Sequence, residues 1–297
     1  MLARWAARRI GALAMGSLHA EVMLSPKPGL VSPVDSGSHA DMDVQTFMRS
    51  LTSLRGYFVA SAAHGARDVP LRELQQLGVR AEAAMLAATR GVNTHRGAIF
   101  TLGLLAAAAG WAGAHGQQCS GRRLGEVVVR LWGTALREAP GDTRTHGALA
   151  AAKYGAGGAR LEAASGFPAL VNVGVPALRQ ARRAGMDRRR ASVQALFSLM
   201  AVLQDTNLLH RGGTGGLQLA QNRARAFLAG GGVLQPDWEP QVQAIHQELV
   251  RHRLSPGGSA DLLAASCFVL ALREEAKTGA RRSAVSGAGC PASSDVG

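Results

Sequence analysis

AIFTLGLLAAAAGWAGA, residues 98–114, is the stretch on which the fold turns. It carries no charge and is dominated by Ala, Gly and Leu. Its length approaches that of a membrane-spanning helix, which needs about 20 mostly apolar residues. Ala and Gly gain little on transfer to lipid, and Thr101 lies inside the run. The expectation is therefore a helix buried in the protein core, ending near Gly110.

Outward from that run the periodicity stays helical. Leu2, Ile10, Leu13, Leu18 and Val22 recur at helical spacing, as do Phe47, Leu51, Leu54 and Phe58, and Leu74, Leu77, Ala81 and Met85. The stretches 127–136, 191–203, 217–228, 242–250 and 262–272 continue the pattern, and alternating strands are missing. The chain reads as all-α, about ten helices in one compact catalytic domain over residues 1–277. The small, polar residues 278–297 read as a disordered tail. Apolar residues make up 47% of the 297 and aromatics 4%, so the core must be built from Ala, Leu and Val, which favours close helix packing. The arginines and apolar residues of 1–24 imitate a targeting peptide, but Gly11 and Gly16 interrupt the run and the helical pattern continues through Glu21. It reads as the first helix of the fold.

The net charge is +13, almost all from Arg, since only Lys27, Lys153 and Lys277 are lysines. The densest basic run (Arg179, Arg182, Arg183, Arg188, Arg189, Arg190) reads as a solvated helix end and turn. No aromatic-plus-basic strand motif and no zinc-finger spacing supports nucleic-acid binding. Cys119, Cys267 and Cys290 are too far apart for a metal pair or a disulfide framework, which fits a reducing cytoplasm.

Five polar clusters interrupt the apolar chain at expected helix ends. Residues 24–43, LSPKPGLVSPVDSGSHADMD, hold Lys27, Asp35, His39, Asp41 and Asp43 among prolines and glycines that forbid a helix. In GVNTHRGAIF, 91–100, Asn93 or Thr94 can cap the next helix, beside His95 and Arg96. Residues 145–168 surround a flexible glycine run with His146, Lys153, Arg160 and Glu162. LMAVLQDTNLLHRGGTGG, 199–216, places Asp205, Asn207, His210 and Arg211 at the end of an apolar run. In RLSPGGSADLLAAS, 253–266, Ser255 or Ser259 caps the last main helix, with Gly257 and Gly258 between them and Asp261 in its first turn. Carboxylates with Arg and Lys at helix starts describe a site for Mg²⁺ and phosphates.

Taken in order over about residues 17–270, SLHAEVMLSPKPGLVSPVDSGSHADMD, GVNTHRGAIFTLGLL, GGARLEAASGFP, LMAVLQDTNLLHRGG and LSPGGSADLLAAS resemble the triphosphoribosyl-dephospho-CoA synthases. The SPVDSGSHADMD version looks more like the malonate decarboxylase branch than the citrate lyase branch. The resemblance implies an all-helical enzyme that joins the ribose C1 of ATP to the 2′-hydroxyl of 3′-dephospho-CoA and releases adenine. A separate transferase then attaches the product to an acyl-carrier protein. Small-molecule nucleotides are the expected partners, with no nucleic acid and no membrane. A homodimer stays open as the assembly.

That chemistry needs a base for the attacking hydroxyl, a donor for the departing adenine, and cations for the triphosphate. Glu21, His39, His95, His210 and Asp205 are the catalytic candidates. Asp41, Asp43, Asp205 and Asp261 are the candidates for Mg²⁺, arriving as MgATP. Lys27, Asn93, Thr94, Arg96, Arg160, Asn207, Arg211, Ser255, Gly257 and Gly258 are the substrate and phosphate candidates. An all-helical, Mg²⁺-dependent hydrolase of nucleotides or ADP-ribose is the alternative, because it needs the same residue types.

Overall fold

The computed structural model describes residues 2–138 and 146–287, among which there are thirteen α-helices and no β-strand. In chain order these are α1 (Leu2–Val22), α2 (Val44–Ser53), α3 (Arg55–Gly65), α4 (Leu71–Ala88), α5 (Arg96–Ala114), α6 (Gly121–Glu138), α7 (His146–Tyr154), α8 (Gly158–Ala164), α9 (Val175–Arg183), α10 (Arg188–Met200), α11 (Thr206–Ala229), α12 (Trp238–Arg251) and α13 (Gly257–Gly287). A π turn, Leu170–Gly174, leads into α9, and a 3₁₀ turn, Gly232–Leu234, precedes α12.

The count exceeds ten because some helices are too short to show periodicity. The pattern Phe47–Leu51–Leu54–Phe58 runs across a break: the chain turns at Leu54, whose N–H donates to Leu51 O at 3.1 Å, so α2 and α3 are separate. Gly155, at φ +64°, separates α7 from the start of α8. At the other end, α13 runs past residue 277 to Gly287. Residues 288–297, the rest of the expected tail, lie outside the described residues.

Helix α5 is the axis of the molecule. Every residue from Ala98 to Ala112 except Phe100 is buried, and α1, α3, α4, α6, α8 and α13 all pack on it. The apolar run is thus core, with 78% of its most apolar window covered by protein. The expected end at Gly110 is incorrect, since the helix continues to Ala114. Gly110 is an approach point: a methyl there would collide with the Ala62 carbonyl of α3, and one on Gly65 of α3 would collide with Ala107 of α5. Gly110→Ala is therefore expected to destabilise the protein. Forcing the two backbones apart costs about 1–3 kcal/mol, which outweighs the gain of about 1 kcal/mol in helix propensity. Chemical denaturation of the variant measures the difference.

Candidate active site

Three helix starts and one helix end converge beside this axis. The end is that of α1, where Glu21 is buried at 6% exposure and Lys27 at 3%. Lys27 Nζ donates to Glu21 Oε1 at 2.7 Å and to the Glu21 carbonyl at 2.8 Å, with a longer contact to Val22 O at 3.5 Å. The lysine thus caps the terminal carbonyls of α1 while neutralising its last carboxylate. Its ammonium is thus engaged with the end of α1.

The starts of α11 and α13 are joined by one side chain. Asp205, 1% exposed, is the N-cap of α11 and accepts from Asn207 N at 3.0 Å. It also accepts from Ser259 N at 2.9 Å and Ser259 Oγ at 3.1 Å in α13, and from the Gly258 N–H. Burial pushes its carboxyl upward while these donors pull it back. Two carboxylate oxygens offer about four lone-pair sites, and four donors fill them. Asp205 therefore pins the start of α11 to the start of α13. Gly257 and Gly258 belong to the same junction. Gly257 N donates to Ser255 O at 2.9 Å, Gly258 N serves Asp205, and neither presents an open N–H to a phosphate. Both glycines are needed for clearance, since a methyl would meet the Asn207 amide or the Asp205 carboxyl.

Asp261 lies one turn further along α13, against the start of α5. Its carboxylate takes the place a Gly97 side chain would occupy and accepts the Ala98 N–H. The residue is half-buried. Burial raises its pKa well above the ordinary 3.8, and the neighbouring charges of Glu21 and Asp205 raise it further. The carboxylates of Glu21, Asp205 and Asp261 are thus close enough to act on one another, with Lys27 paired to Glu21, and form a polar floor between the helix ends.

His95 precedes α5. It is 2% exposed, its Nδ1 lies 2.6 Å from Ser50 Oγ, and its Nε2 is buried with no partner among the described residues. Burial, then the Lys27 charge, lowers its pKa to about 3. The imidazole is neutral at physiological pH, so a general-acid role as imidazolium does not fit. The sign of the linkage is fixed. Below pH 6.5 the unfolded chain protonates this histidine, whereas the folded chain does so only near pH 3. Stability is expected to fall by about 1.4 kcal/mol per pH unit across that interval. His95→Gln should lack this contribution when unfolding is followed over the same pH series.

The flanks carry the remaining candidates. Asn93 Oδ1 accepts the Arg96 N–H at 3.2 Å, but the N-cap position of α5 is His95, neither Asn93 nor Thr94. Thr94 Oγ1 stands 3.4 Å from His95 Nδ1. Arg96 pairs with Glu82 of α4. The loop 24–43 is stitched down from the other side. Arg211 donates to Ser38 O at 3.0 Å, to Arg253 O at 3.1 Å and into His39 Nδ1 at 3.0 Å, while His39 Nε2 meets Ser255 Oγ at 3.0 Å. Both nitrogens of His39 are thus engaged, and burial followed by Arg211 lowers its pKa to about 4. Asp41 is exposed, 3.8 Å from His39 Nδ1. Asp43 is an N-cap, with Oδ1 accepting from Thr46 N and Oγ1 at 2.8 and 2.7 Å. Among the described residues no three His, Cys, Asp or Glu side chains form a ready metal cage. Of the four aspartates, Asp41 is exposed, Asp43 caps α2, Asp205 pins two helices, and Asp261 lies against the start of α5. Arg160 donates from Nε to Leu136 O at the end of α6, at 3.2 Å, and His210 is exposed on α11.

The ATP:dephospho-CoA triphosphoribosyl transferase family, CitG, matches residues 7–279. The chain belongs to this family. A probable 2-(5″-triphosphoribosyl)-3′-dephosphocoenzyme-A synthase of Acinetobacter calcoaceticus is 42% identical over 91% of this chain and 92% of its own length. A synthase of the same name from Pectobacterium atrosepticum is 42% identical over 84% of each chain, and a probable one from Pseudomonas aeruginosa 44% over 86% and 88%. No solved structure matches. Enzyme class and all-α fold thus agree with the sequence reading.

Sequence reasoning missed several members of this synthase-family site. His246 of α12 accepts the Gly29 N–H at Nδ1, 3.2 Å, and pairs through Nε2 with Asp35 at 3.2 Å, holding the loop 24–43. Met85 enters the sequence reading only as part of the apolar repeat of α4, and Ser50 and Glu82 are not singled out there. A buried histidine in an otherwise amphipathic helix was the one available signal, and it is weak.

Proposed function

We propose that this protein transfers the triphosphoribosyl group of ATP to the 2′-hydroxyl of 3′-dephospho-CoA. The bond from ribose C1 to adenine N9 breaks, the bond from C1 to the 2′-oxygen forms, and the hydroxyl proton balances the one adenine gains. The match of residues 7–279 to the family carries this reading. The geometry supports it, because the carboxylate floor of Glu21, Asp205 and Asp261 suits the positive charge that develops at an anomeric carbon. Asp261 is the carboxylate placed to face that charge or to take the hydroxyl proton. Arg96, paired with Glu82 at the start of α5, and Arg211, bonded to the loop 24–43, are the cations we assign to the phosphates, which would take over part of these contacts.

Mg²⁺ carried in by ATP would take most of its ligands from phosphate oxygens and water, and Asp261 is the carboxylate that would hold it here. Bound there, it would neutralise triphosphate charge beside the carboxylates. We place the protein in the cytoplasm and in the malonate decarboxylase branch, supported by the SPVDSGSHADMD loop. Its product then passes to a separate acyl-carrier-protein transferase.

Incubation with ATP, Mg²⁺ and 3′-dephospho-CoA tests the reaction. Adenine should appear together with dephospho-CoA heavier by one triphosphoribosyl unit. Adenine released without dephospho-CoA would instead identify a hydrolase.

A further inference from the structure

Ser50 of α2 is fully buried, and among the described residues its hydroxyl has one partner, His95 Nδ1 at 2.6 Å. A hydroxyl carries one proton and two lone pairs. If Ser50 donates, its proton is satisfied; if it accepts, that proton is stranded in the interior. Donation therefore fixes Nδ1 as the unprotonated nitrogen and places the ring proton on Nε2. Thr94 Oγ1, at 3.4 Å from Nδ1, is too distant to reverse this. The result is a buried Nε2–H with no acceptor among the described residues.

The surroundings narrow what that acceptor can be. The edge of the Phe47 ring meets His95 at 82° with centroids 4.9 Å apart, and Met85 Sδ accepts the His95 backbone N–H at 3.2 Å. A phosphate calls for cations or several converging donors. The cation that acts on His95, Lys27, is already paired with Glu21; one neutral donor between an aromatic ring and a thioether then matches a purine, which has flat apolar faces and ring nitrogens that accept.

We infer that His95 Nε2–H, oriented by Ser50, donates to a ring nitrogen of a bound adenine. His95 is then a catalytic or base-binding residue and Ser50 a positioning residue. Both substrates of the proposed reaction carry adenine, so the identity of the nucleotide rests on that reading. Nε2 is buried among the described residues, so the inferred contact requires the side chains over it to move aside for the base.

Nitrogen-15 correlation spectra of the imidazoles in the full-length protein test this, with His95→Gln to assign the signals. The ligand-free protein should show His95 as the neutral Nε2–H tautomer. Ser50→Ala should shift it toward a mixture. Titrating ATP alone and 3′-dephospho-CoA alone should move the Nε2 signal with one of them, which identifies whose adenine binds. Ser50→Ala should also lower kcat about 10–100-fold, by analogy with residues that orient a metal-bound histidine, with KM changed about twofold at most. An Nδ1–H tautomer in the wild type, or no response to either nucleotide, would overturn the inference even if Ser50→Ala fails to fold. A nucleotide response without adenine transfer would leave the contact standing and remove the proposed reaction.

Discussion

Asp261→Asn is expected to reduce adenine transfer by about 10²–10⁴-fold, the usual contribution of a positioned acid or base, while the protein stays folded and gains stability. The carboxyl of Asp261 is held well above its ordinary pKa by burial and by the charges of Glu21 and Asp205. A group whose ionisation is disfavoured by folding subtracts from stability at neutral pH. The amide removes that charge yet keeps an oxygen for the Ala98 N–H. Loss of function with a raised melting temperature is the pattern of a strained functional group. Steady-state adenine release and thermal unfolding on the same preparation give both numbers. Near-normal turnover would remove Asp261 from the reaction.

Asp205→Ala should behave in the opposite way. It strips the N-cap from α11 and the acceptor of the Gly258 and Ser259 N–H groups of α13. Each lost cap costs about 1 kcal/mol, and buried donors left unpaired add about 1–3 kcal/mol. A loss of about 3–5 kcal/mol is a large part of the 5–15 kcal/mol that holds a typical domain together. Activity should fall in step with the folded fraction in denaturant. An inactive variant with wild-type stability would return Asp205 to the chemistry.

The contrast between these aspartates shows what the sequence could reveal. In sequence Asp205 reads as the end of an apolar run and Asp261 as part of a helix's first turn, and periodicity does not reveal that Asp205 is the cap. That depends on Ser259 and Gly258 arriving from a helix more than fifty residues away. Helix positions were legible where the apolar repeat is long, as in α1, α4 and α5, and were lost in short helices such as α7 and α8. Gly110 looked like a terminator because a glycine that admits a neighbouring backbone and one that ends a helix look alike in one dimension. The five polar clusters were legible as a group. Their division into capping residues such as Asp43, tethers such as Arg211 and the remaining charge on Asp261 required the packing of α1, α5, α11 and α13.

Where the chemistry sits is tested most directly by a crystal structure of Asp261→Asn with ATP and 3′-dephospho-CoA bound. The expected result is the ATP ribose over the floor formed by Glu21, Asp205 and position 261, with an adenine against His95 and the phosphates toward Arg96 or Arg211. Nucleotides bound elsewhere, for example in the arginine-lined groove of Arg179, Arg183 and Arg273 between α9 and α13, with the carboxylate floor empty, would contradict it.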